Sequence, residues 1–229
     1  MKTIGLIGGM SWESTQSYYR QLNEQIRDQL GGLHSAKLVL YSVDFAEIEP
    51  LQQQGDWAAA AKILSQAATA VEAAGADFVL LCTNTMHKVA PEIEQAISIP
   101  LLHIVDATAA ALKADGIRTV GLLGTRFTME QAFYRERLEA LGIDVIVPNQ
   151  EQRQTIHDSI FQELCLGVTK TESKAAFLET IHDLSEKGAE AIILGCTEIG
   201  LLVTSDDTAI PLYDTTKIHV SAATTLALT

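Results

Sequence analysis

The sequence predicts an α/β fold of two pseudo-symmetric lobes, each a short, mostly parallel sheet flanked by helices. The prediction rests on short apolar runs that alternate with helical segments, and on three internal matches in the same order. Parallel sheets covered on both faces give this alternation, and an ordered set of matches indicates a duplicated unit. The matched pairs are Thr3-Ile-Gly-Leu-Ile-Gly with Thr119-Val-Gly-Leu-Leu-Gly, Gly75-Ala-Asp with Gly188-Ala-Glu, and Ile99-Pro-Leu with Ile210-Pro-Leu.

The first half of the chain contains four predicted strands and four predicted helices. The strands are 3–7, 37–43, 77–82 and 101–105, and the helices are 13–30, 56–74, 88–97 and 107–114. Two of these helices end at glycines, Gly31-Gly32 and Gly75, which are typical residues just beyond a helix C-terminus.

The second half repeats this order. Its predicted strands are 119–124, 144–147 and 191–194, and its predicted helices are 129–141, 150–166, 172–187 and 217–228. The segment that starts at Ile210 echoes the one at Ile99. We expect one lobe to comprise residues 1–105 plus 210–229. The other lobe is then 106–209.

Composition excludes several functional classes. The 229-residue chain is 47% hydrophobic and carries a formal net charge of −13 without a basic block, which argues against nucleic acid or an anionic membrane surface as the main partner. The chain has no run of about 18 apolar residues, so we expect no membrane span. The three cysteines have no metal-finger spacing, and free thiols in a chain of this length suggest a reducing cytosol.

Small or polar residues lie at the ends of four of the predicted strands. They are Gly8-Gly9, Thr83-Asn84-Thr85, Gly124-Thr125 and Cys196-Thr197-Glu198. Because ligands of parallel α/β folds bind at the carboxyl ends of strands, we expect these residues to converge on one cleft between the two lobes.

Cys196 is the first candidate for chemistry. It precedes a predicted helix at 198–202, and a helix N-terminus stabilises a nearby thiolate. The alternative is a buried structural cysteine, because free cysteine is among the most buried residue types. Glu198 could orient a substrate amino group or simply occupy the first turn of that helix.

Thr83 occupies the equivalent place in the first half. Hydroxyl and amide groups here suit an α-carboxylate and an amino group, although Thr and Asn are also ordinary helix caps. Since neighbouring side chains of a strand point to opposite faces, Cys82 should face the packing side if Thr83 faces the cleft. His87 and Cys165 are interpreted as structural. We find no dinucleotide, Walker or metal-binding motif.

At this point the motifs resemble the aspartate/glutamate racemase family over essentially the whole chain. They are Gly8-Gly9-Met10-Ser11, Thr83-Asn84-Thr85-Met86-His87, Gly124-Thr125-Arg126-Phe127-Thr128 and Gly195-Cys196-Thr197-Glu198. The resemblance implies two lobes with the active site between them, no cofactor, and a small amino acid as substrate. It also implies racemisation by two cysteines, one on each face of the substrate Cα, and a homodimer.

The resemblance also implies roles for further residues. Asn84, Thr85, Thr125 and Thr197 would hold the α-carboxylate and amino group. Met10 and Gln52 would lie near the substrate, with Gln52 as a contact for a side-chain carboxylate.

The chain departs from the family at Thr83, where the first catalytic cysteine usually stands. A hydroxyl is a far weaker acid than a thiol, whose reference pKa is about 8.5, so Thr83 is a poor general base near neutral pH. Three outcomes are open: Thr83 relays a proton through a neighbour or water, Cys82 takes the role through a bulge, or Cys196 works alone. We favour the first, with unequal activity toward the two enantiomers. The alternatives are a single-cysteine isomerase or decarboxylase of small dicarboxylic acids, and a non-catalytic amino-acid-binding protein.

Overall fold

The computed structural model describes residues Met1–Thr229, which form two compact units. The first unit comprises Met1–Ile104 and His219–Thr229, and the second comprises Val105–Ile218. Each unit contains one sheet of parallel strands flanked by helices, which confirms the predicted fold class. Residues 210–218 lie in the second unit and not, as expected, with the first, because the strand they contain pairs with the second sheet.

The first unit is built on a three-stranded sheet of order β2-β1-β3. Its strands are β1 (Ile4–Gly8), β2 (Leu38–Ser42) and β3 (Phe78–Leu81). Its helices are α1 (Trp12–Leu30), α2 (Phe45–Gln54), α3 (Trp57–Ala73) and α4 (Ala90–Ala96), with a 3₁₀ turn at Thr85–Val89. The chain returns to this unit within α10 (Thr215–Leu228).

Helix α1 shows how the sequence sets this packing. Its N-cap Ser11 accepts a hydrogen bond from the backbone of Ser14, and the helix ends at Gly31, whose φ is 75°. Tyr18, Leu22 and Ile26 recur every four residues and therefore form one buried stripe. Tyr18 and Leu22 of this stripe pack in the same core cluster as residues of β1 and β3.

The second unit is built on a four-stranded sheet of order β5-β4-β6-β7. Its strands are β4 (Thr119–Gly124), β5 (Asp144–Ile146), β6 (Ala191–Gly195) and β7 (Leu212–Asp214). Its helices are α5 (Ile104–Ala114), α6 (Arg126–Glu130), α7 (Ala132–Ala140), α8 (Gln150–Gln162) and α9 (Thr171–Glu186), with 3₁₀ turns at Leu164–Leu166 and Ile199–Leu201. Strands β4 and β6 are central and almost fully buried.

The structure differs from the predictions in several local features. The predicted strand 101–105 is reduced to a single bridge between Val79 and Leu101, because α5 begins at Ile104. Helix α2 was not predicted; it tolerates Pro50 in its interior, where proline ends most helices. The predicted helix at 198–202 is a 3₁₀ turn of three residues, Ile199–Leu201. None of the ten helices combines the length and the apolar character that crossing a membrane requires.

Candidate functional site

The candidate site residues of the first unit lie in the loop that follows β3. The backbone N–H of Cys82 donates to the carbonyl of Ile7 at 2.9 Å, which continues the pairing with β1. The hydroxyl of Ser14, in the first turn of α1, donates to the carbonyl of Cys82 at 3.2 Å. The start of the loop is therefore held from both the neighbouring strand and the neighbouring helix.

Cys82 and Thr83 have different surroundings, although they are adjacent. Cys82 is fully buried in the core cluster of Tyr18 and Leu22. Burial raises the pKa of its thiol strongly, because the thiolate would lose its hydration. Thr83 is buried but retains some exposure. The alternation that placed the Cys82 side chain in the core is thus observed.

His87 fixes the backbone of this loop. Its Nδ1 lies 2.8 Å from the carbonyl of Thr83, and its Nε2 accepts a hydrogen bond from the backbone N–H of Ile104 at 3.2 Å. A carbonyl can only accept, so Nδ1 carries the proton and the imidazole is neutral. His87 is buried and serves as a positioning residue for Thr83.

The other candidate residues of this unit cluster around the same loop. Asn84 and Thr85 are buried in it. Gln52, on α2, is buried and donates through Nε2 to the sulfur of Met86 at 2.9 Å. Met10, which follows β1, belongs to the same core cluster as Met86. The structure therefore brings all the candidate residues of the first unit to one end of its sheet.

In the second unit, two glycines bring the ends of β4 and β6 unusually close. Gly124 and Gly195 are partners in the parallel register. A Cβ on Gly195 would lie 2.8 Å from the carbonyl oxygen of Leu123, and a Cβ on Gly124 would lie 2.9 Å from that of Gly195. Only glycine fits at either position, and the next residues, Thr125 and Cys196, therefore emerge side by side. Thr125 also caps α6.

Cys196, Thr197 and Glu198 form a buried hydrogen-bonded group. The thiol of Cys196 donates to Oε2 of Glu198 at 3.0 Å, and the hydroxyl of Thr197 donates to the same oxygen at 2.8 Å. Cys196 and Glu198 are both buried. The thiol proton of Cys196 and the hydroxyl proton of Thr197 are thus both directed at one carboxylate oxygen.

The pKa of Cys196 is shifted in the direction opposite to the sequence prediction. A helix N-terminus was expected to stabilise its thiolate, but the turn that follows is too short to supply a helix dipole. Burial raises the pKa of the Cys196 thiol well above its ordinary value, and the negative charge of Glu198 raises it further. Cys196 therefore rests as a thiol, with its proton directed at Glu198.

Cys165 was interpreted as a packing residue, but the structure also places it beside the carboxylate of Glu198. Its sulfur lies 3.9 Å from Oε1 of Glu198, on the carboxylate oxygen that Cys196 does not use. Gly167, with φ of 70°, ends the turn that carries Cys165. The cysteine precedes Glu198 by 33 residues, so no local spacing in the sequence links the two. Across the chain, no group of three or more His, Cys, Asp or Glu side chains is arranged to hold a metal ion.

Comparisons with known proteins show what the chain is similar to. The family described as Asp/Glu/hydantoin racemase matches residues 7–223. The broad-specificity amino-acid racemase RacX of Bacillus subtilis is 26% identical over 219 residues, which cover 92% of each chain. Among solved structures, a candidate Asp/Glu racemase from Yersinia pestis is 56% identical with a TM-score of 0.93, and an aspartate racemase homologue from Pyrococcus horikoshii is 35% identical with a TM-score of 0.87; each comparison covers 100% of both chains.

Proposed function

This chain belongs to the Asp/Glu/hydantoin racemase family and is an amino-acid racemase; we propose that its substrates are aspartate or glutamate and that it needs no cofactor. The observation that carries the proposal is the buried contact between the Cys196 thiol and the Glu198 carboxylate. Racemisation requires a group that takes a proton from Cα and a group that returns one to the opposite face. In this proposal Cys196 supplies the first of these groups and Thr83 supplies the second.

The proposed proton path runs through Glu198. For Cys196 to act as a base, its thiol proton must first leave, and Glu198 is the acceptor already in place. The thiolate then takes the Cα proton, and the carbanion is delocalised into the substrate carboxyl group. Reprotonation from the Thr83 side, directly or through a water molecule, gives the other enantiomer. The sequence analysis left two roles open for Glu198, contact with a substrate amino group or a place in the first turn of a helix. The contact with the Cys196 thiol supports the proton-transfer role proposed here.

Substrate recognition is assigned to the remaining loop residues. Asn84, Thr85, Thr125 and Thr197 present amide and hydroxyl groups at the strand ends, which suits an α-carboxylate and an amino group. Met10 and Gln52 shape the side-chain region, and the Gln52 amide is proposed to contact the distal carboxylate of an acidic amino acid. The three cysteines are free thiols, so we also propose that the enzyme works in the reducing cytosol.

Unequal chemistry at the two faces has a specific kinetic consequence. The solution equilibrium between enantiomers is 1:1, so kcat/KM for racemisation is the same in both directions whatever the site contains. Exchange of the Cα proton with solvent is not bound by this rule, because the Cys196 face can remove a proton and return a solvent proton to the same face. Deuterium should therefore enter Cα much faster from one enantiomer than from the other.

The test is deuterium incorporation at Cα in heavy water without pyridoxal phosphate. Each enantiomer of Asp and Glu is incubated separately, and mass and optical configuration are followed together. We expect fast incorporation from one enantiomer of at least one substrate, its loss in Cys196→Ser, and its retention in Cys82→Ala, which removes a core thiol instead. No incorporation from any of the four amino acids would exclude the proposal.

The same samples separate the alternative functions. A single-cysteine decarboxylase would release carbon dioxide from a dicarboxylic acid, and a single-cysteine isomerase would show no amino-acid exchange. A non-catalytic binding protein would bind Asp or Glu equally well after Cys196→Ala and exchange no proton. Calorimetry on the Cys196→Ala variant distinguishes that case.

A further inference from the structure

A cleft of about 490 Å³ lies in the second unit, beside its edge strand β7. Its apolar walls come from α5, the end of β6, the segment after the last 3₁₀ turn, β7 and the start of α10: Ala111, Leu194, Val203, Leu212 and Ile218. Sites for small molecules have this size and are mostly apolar, with a few polar groups that fix the ligand. None of the residues assigned above to catalysis or substrate recognition lines the cleft.

The charged groups of the cleft carry a net negative charge. They are two carboxylates, Asp115 and Asp214, and one ammonium group, Lys217. Lys217 Nζ lies 3.7 Å from Oδ2 of Asp214, and Oδ1 of Asp214 accepts from the backbone N–H groups of Thr216 and Lys217 at 2.9 and 3.2 Å. Asp214 is thus the carboxylate that the lysine neutralises, and the charge of Asp115 remains.

Asp115 has a neutral side-chain partner. The phenol of Tyr213 donates to Oδ2 of Asp115 at 2.6 Å. Burial raises the pKa of Tyr213 to about 12, and the neighbouring carboxylate contributes to this rise. The phenol therefore stays protonated at neutral pH, and it leaves Oδ1 of Asp115 available to a ligand.

The place of Asp115 in the fold makes its charge unfavourable. Helix α5 ends at Ala114, so Asp115 directly follows the C-terminus of the helix. The backbone dipoles give this end of a helix a partial negative charge, which stabilises cations and disfavours carboxylates. The carboxylate and the helix end therefore act on a ligand in the same direction, and both favour a cation.

The cleft also meets both ends of the loop that carries Cys196 and Glu198. Leu194 lies two residues before Cys196, and Val203 follows the 3₁₀ turn that begins just after Glu198. Backbone hydrogen bonds link the two ends, from Ile199 to Cys196 at 3.1 Å and from Val203 to Ile199 at 3.0 Å. A ligand that packs against Leu194 and Val203 together would hold this loop closed.

We propose that this cleft is an effector site for a small organic cation that carries an apolar group, such as a primary amine on a hydrocarbon ring. The ammonium group donates to Oδ1 of Asp115, and the hydrocarbon packs against Leu194, Val203 and Leu212. The regulatory role rests on the proposed use of Cys196. Binding and its effect on the loop are measured without turnover, so they can fail while the proposed activity stands, and the reverse.

The first experiment measures binding of benzylamine to the full chain by saturation-transfer NMR. A ligand of this size is expected to bind with a Kd of about 1 mM, whereas benzoate, the matched anion, should not bind. Asp115→Asn removes the charge at an exposed side chain and should raise the Kd for benzylamine at least tenfold. Asp144→Asn, at an exposed carboxylate on the opposite edge strand of the same sheet, is the control and should leave the Kd unchanged.

The second experiment follows alkylation of Cys196 by iodoacetamide, read by mass spectrometry of the peptide that contains it. Cys196 is 8% exposed, so labelling requires the loop to open. At ten times the Kd of benzylamine, an opening that destroys the cleft becomes about elevenfold rarer. Labelling should slow by about tenfold in the wild type, and much less in Asp115→Asn at the same benzylamine concentration.

Three results would overturn the proposal. The first is an absence of benzylamine binding, or equal affinity for the wild type and Asp115→Asn. The second is saturation with benzylamine that leaves the labelling rate of Cys196 unchanged. The third is equal protection of Cys196 in the wild type and in Asp115→Asn, which would place the amine at the thiol itself and not in the cleft.

Discussion

The thiol of Cys196 donates to the carboxylate of Glu198 across 3.0 Å, and both side chains are buried. In an isolated peptide these residues, two positions apart in the sequence, would both face water. Here the carboxylate charge and the loss of water act together to keep the thiol protonated. The Cys196 sulfur therefore carries a proton at the position where the proposed reaction needs a base.

Replacing the charge of this carboxylate should make the thiol more acidic and the enzyme slower. In Glu198→Gln the negative charge that raises the pKa of Cys196 is absent, so iodoacetamide should label Cys196 at lower pH than in the wild type. The proton acceptor is absent too, and Cα exchange should fall about 100-fold, the usual contribution of a positioned acid or base. Labelling is followed by mass spectrometry as a function of pH.

Glu190→Gln is the matched control, because that carboxylate accepts from the backbone N–H groups of Arg118 and Thr119 at 2.7 and 2.8 Å and from no thiol. Its labelling profile should coincide with that of the wild type. If the two profiles of Glu198→Gln and wild type also coincide, the charge of Glu198 does not govern the thiol.

Thr83→Cys should make the two faces of the proposed site alike. A thiol at this position replaces a hydroxyl that is a poor base at neutral pH, so deuterium incorporation from the slower enantiomer should rise at least tenfold. Incorporation from the faster enantiomer should change little. The measurement is the same heavy-water exchange, run on each enantiomer separately.

Cys82→Ala tests the face of the strand in the same assay. Its side chain lies in the core, so the variant should lose stability, by about 1 kcal/mol for so small a truncation, while it keeps its exchange activity once folded. A silent Thr83→Cys together with an inactive Cys82→Ala would reverse the assignment of residues 82 and 83.

Gly195→Ala should disturb the end of the second sheet. The new Cβ would lie 2.8 Å from a backbone carbonyl that cannot rotate away, and overpacking of this kind costs about 1–3 kcal/mol. Gly142→Ala is the comparison: it has open space around its Cβ and a φ of 81°, so only backbone strain of about 1 kcal/mol opposes it. Urea unfolding should rank Gly195→Ala as the more damaging change, and equal losses would argue against the close approach.

His219 should make the protein less stable in mild acid. Tyr18 and the carbonyl of Leu102 hold its two ring nitrogens, and burial lowers the pKa of the imidazole to about 4. The unfolded chain, with an ordinary histidine pKa near 6.5, binds a proton first as the pH falls. The contribution of His219 to the free energy of unfolding is therefore fully present above pH 6.5. It declines toward pH 4, by about 3 kcal/mol in total.

The measurement is urea unfolding between pH 7 and 4. His219→Gln has no titrating ring, so its stability should fall less across this range than that of the wild type. His34→Gln, at an exposed histidine of the same unit, should follow the wild-type curve. Parallel curves for wild type and His219→Gln would contradict the assignment.

The sequence predicted the features that depend on local residue patterns, namely most strands, most helix ends and the candidate residues. Apolar runs located the strands β1 to β6, and glycine and cap residues located most helix ends. The order of Thr83-Asn84-Thr85 and Cys196-Thr197-Glu198 along the duplicated units located the candidate residues. These features are local because each depends on a few neighbouring residues and on the alternation of a strand.

What the sequence did not predict depends on contacts between distant residues. Cys165 meets Glu198 across 33 positions, and the charge and burial that raise the pKa of Cys196 exist only in the folded unit. Helix α2 was not predicted; it contains Pro50, Asp44 caps it, and tertiary packing holds Ile48 in the core. For this helix, packing outweighs the low helix propensity of proline.

The backbone around Cys82 cannot slide to bring its sulfur into the place of Thr83. Bonds from Cys82 to Ile7, from Val79 to Pro100 and from Leu102 to Val79 hold β3 from both sides, and a shift of one residue would expose its buried side chains. If Thr83 is the second proton carrier, as proposed, its acidity can be changed by substitution at this one position. A series of Ser, Thr, Cys and Asp at residue 83 would therefore change, step by step, the ratio of the Cα exchange rates of the two enantiomers.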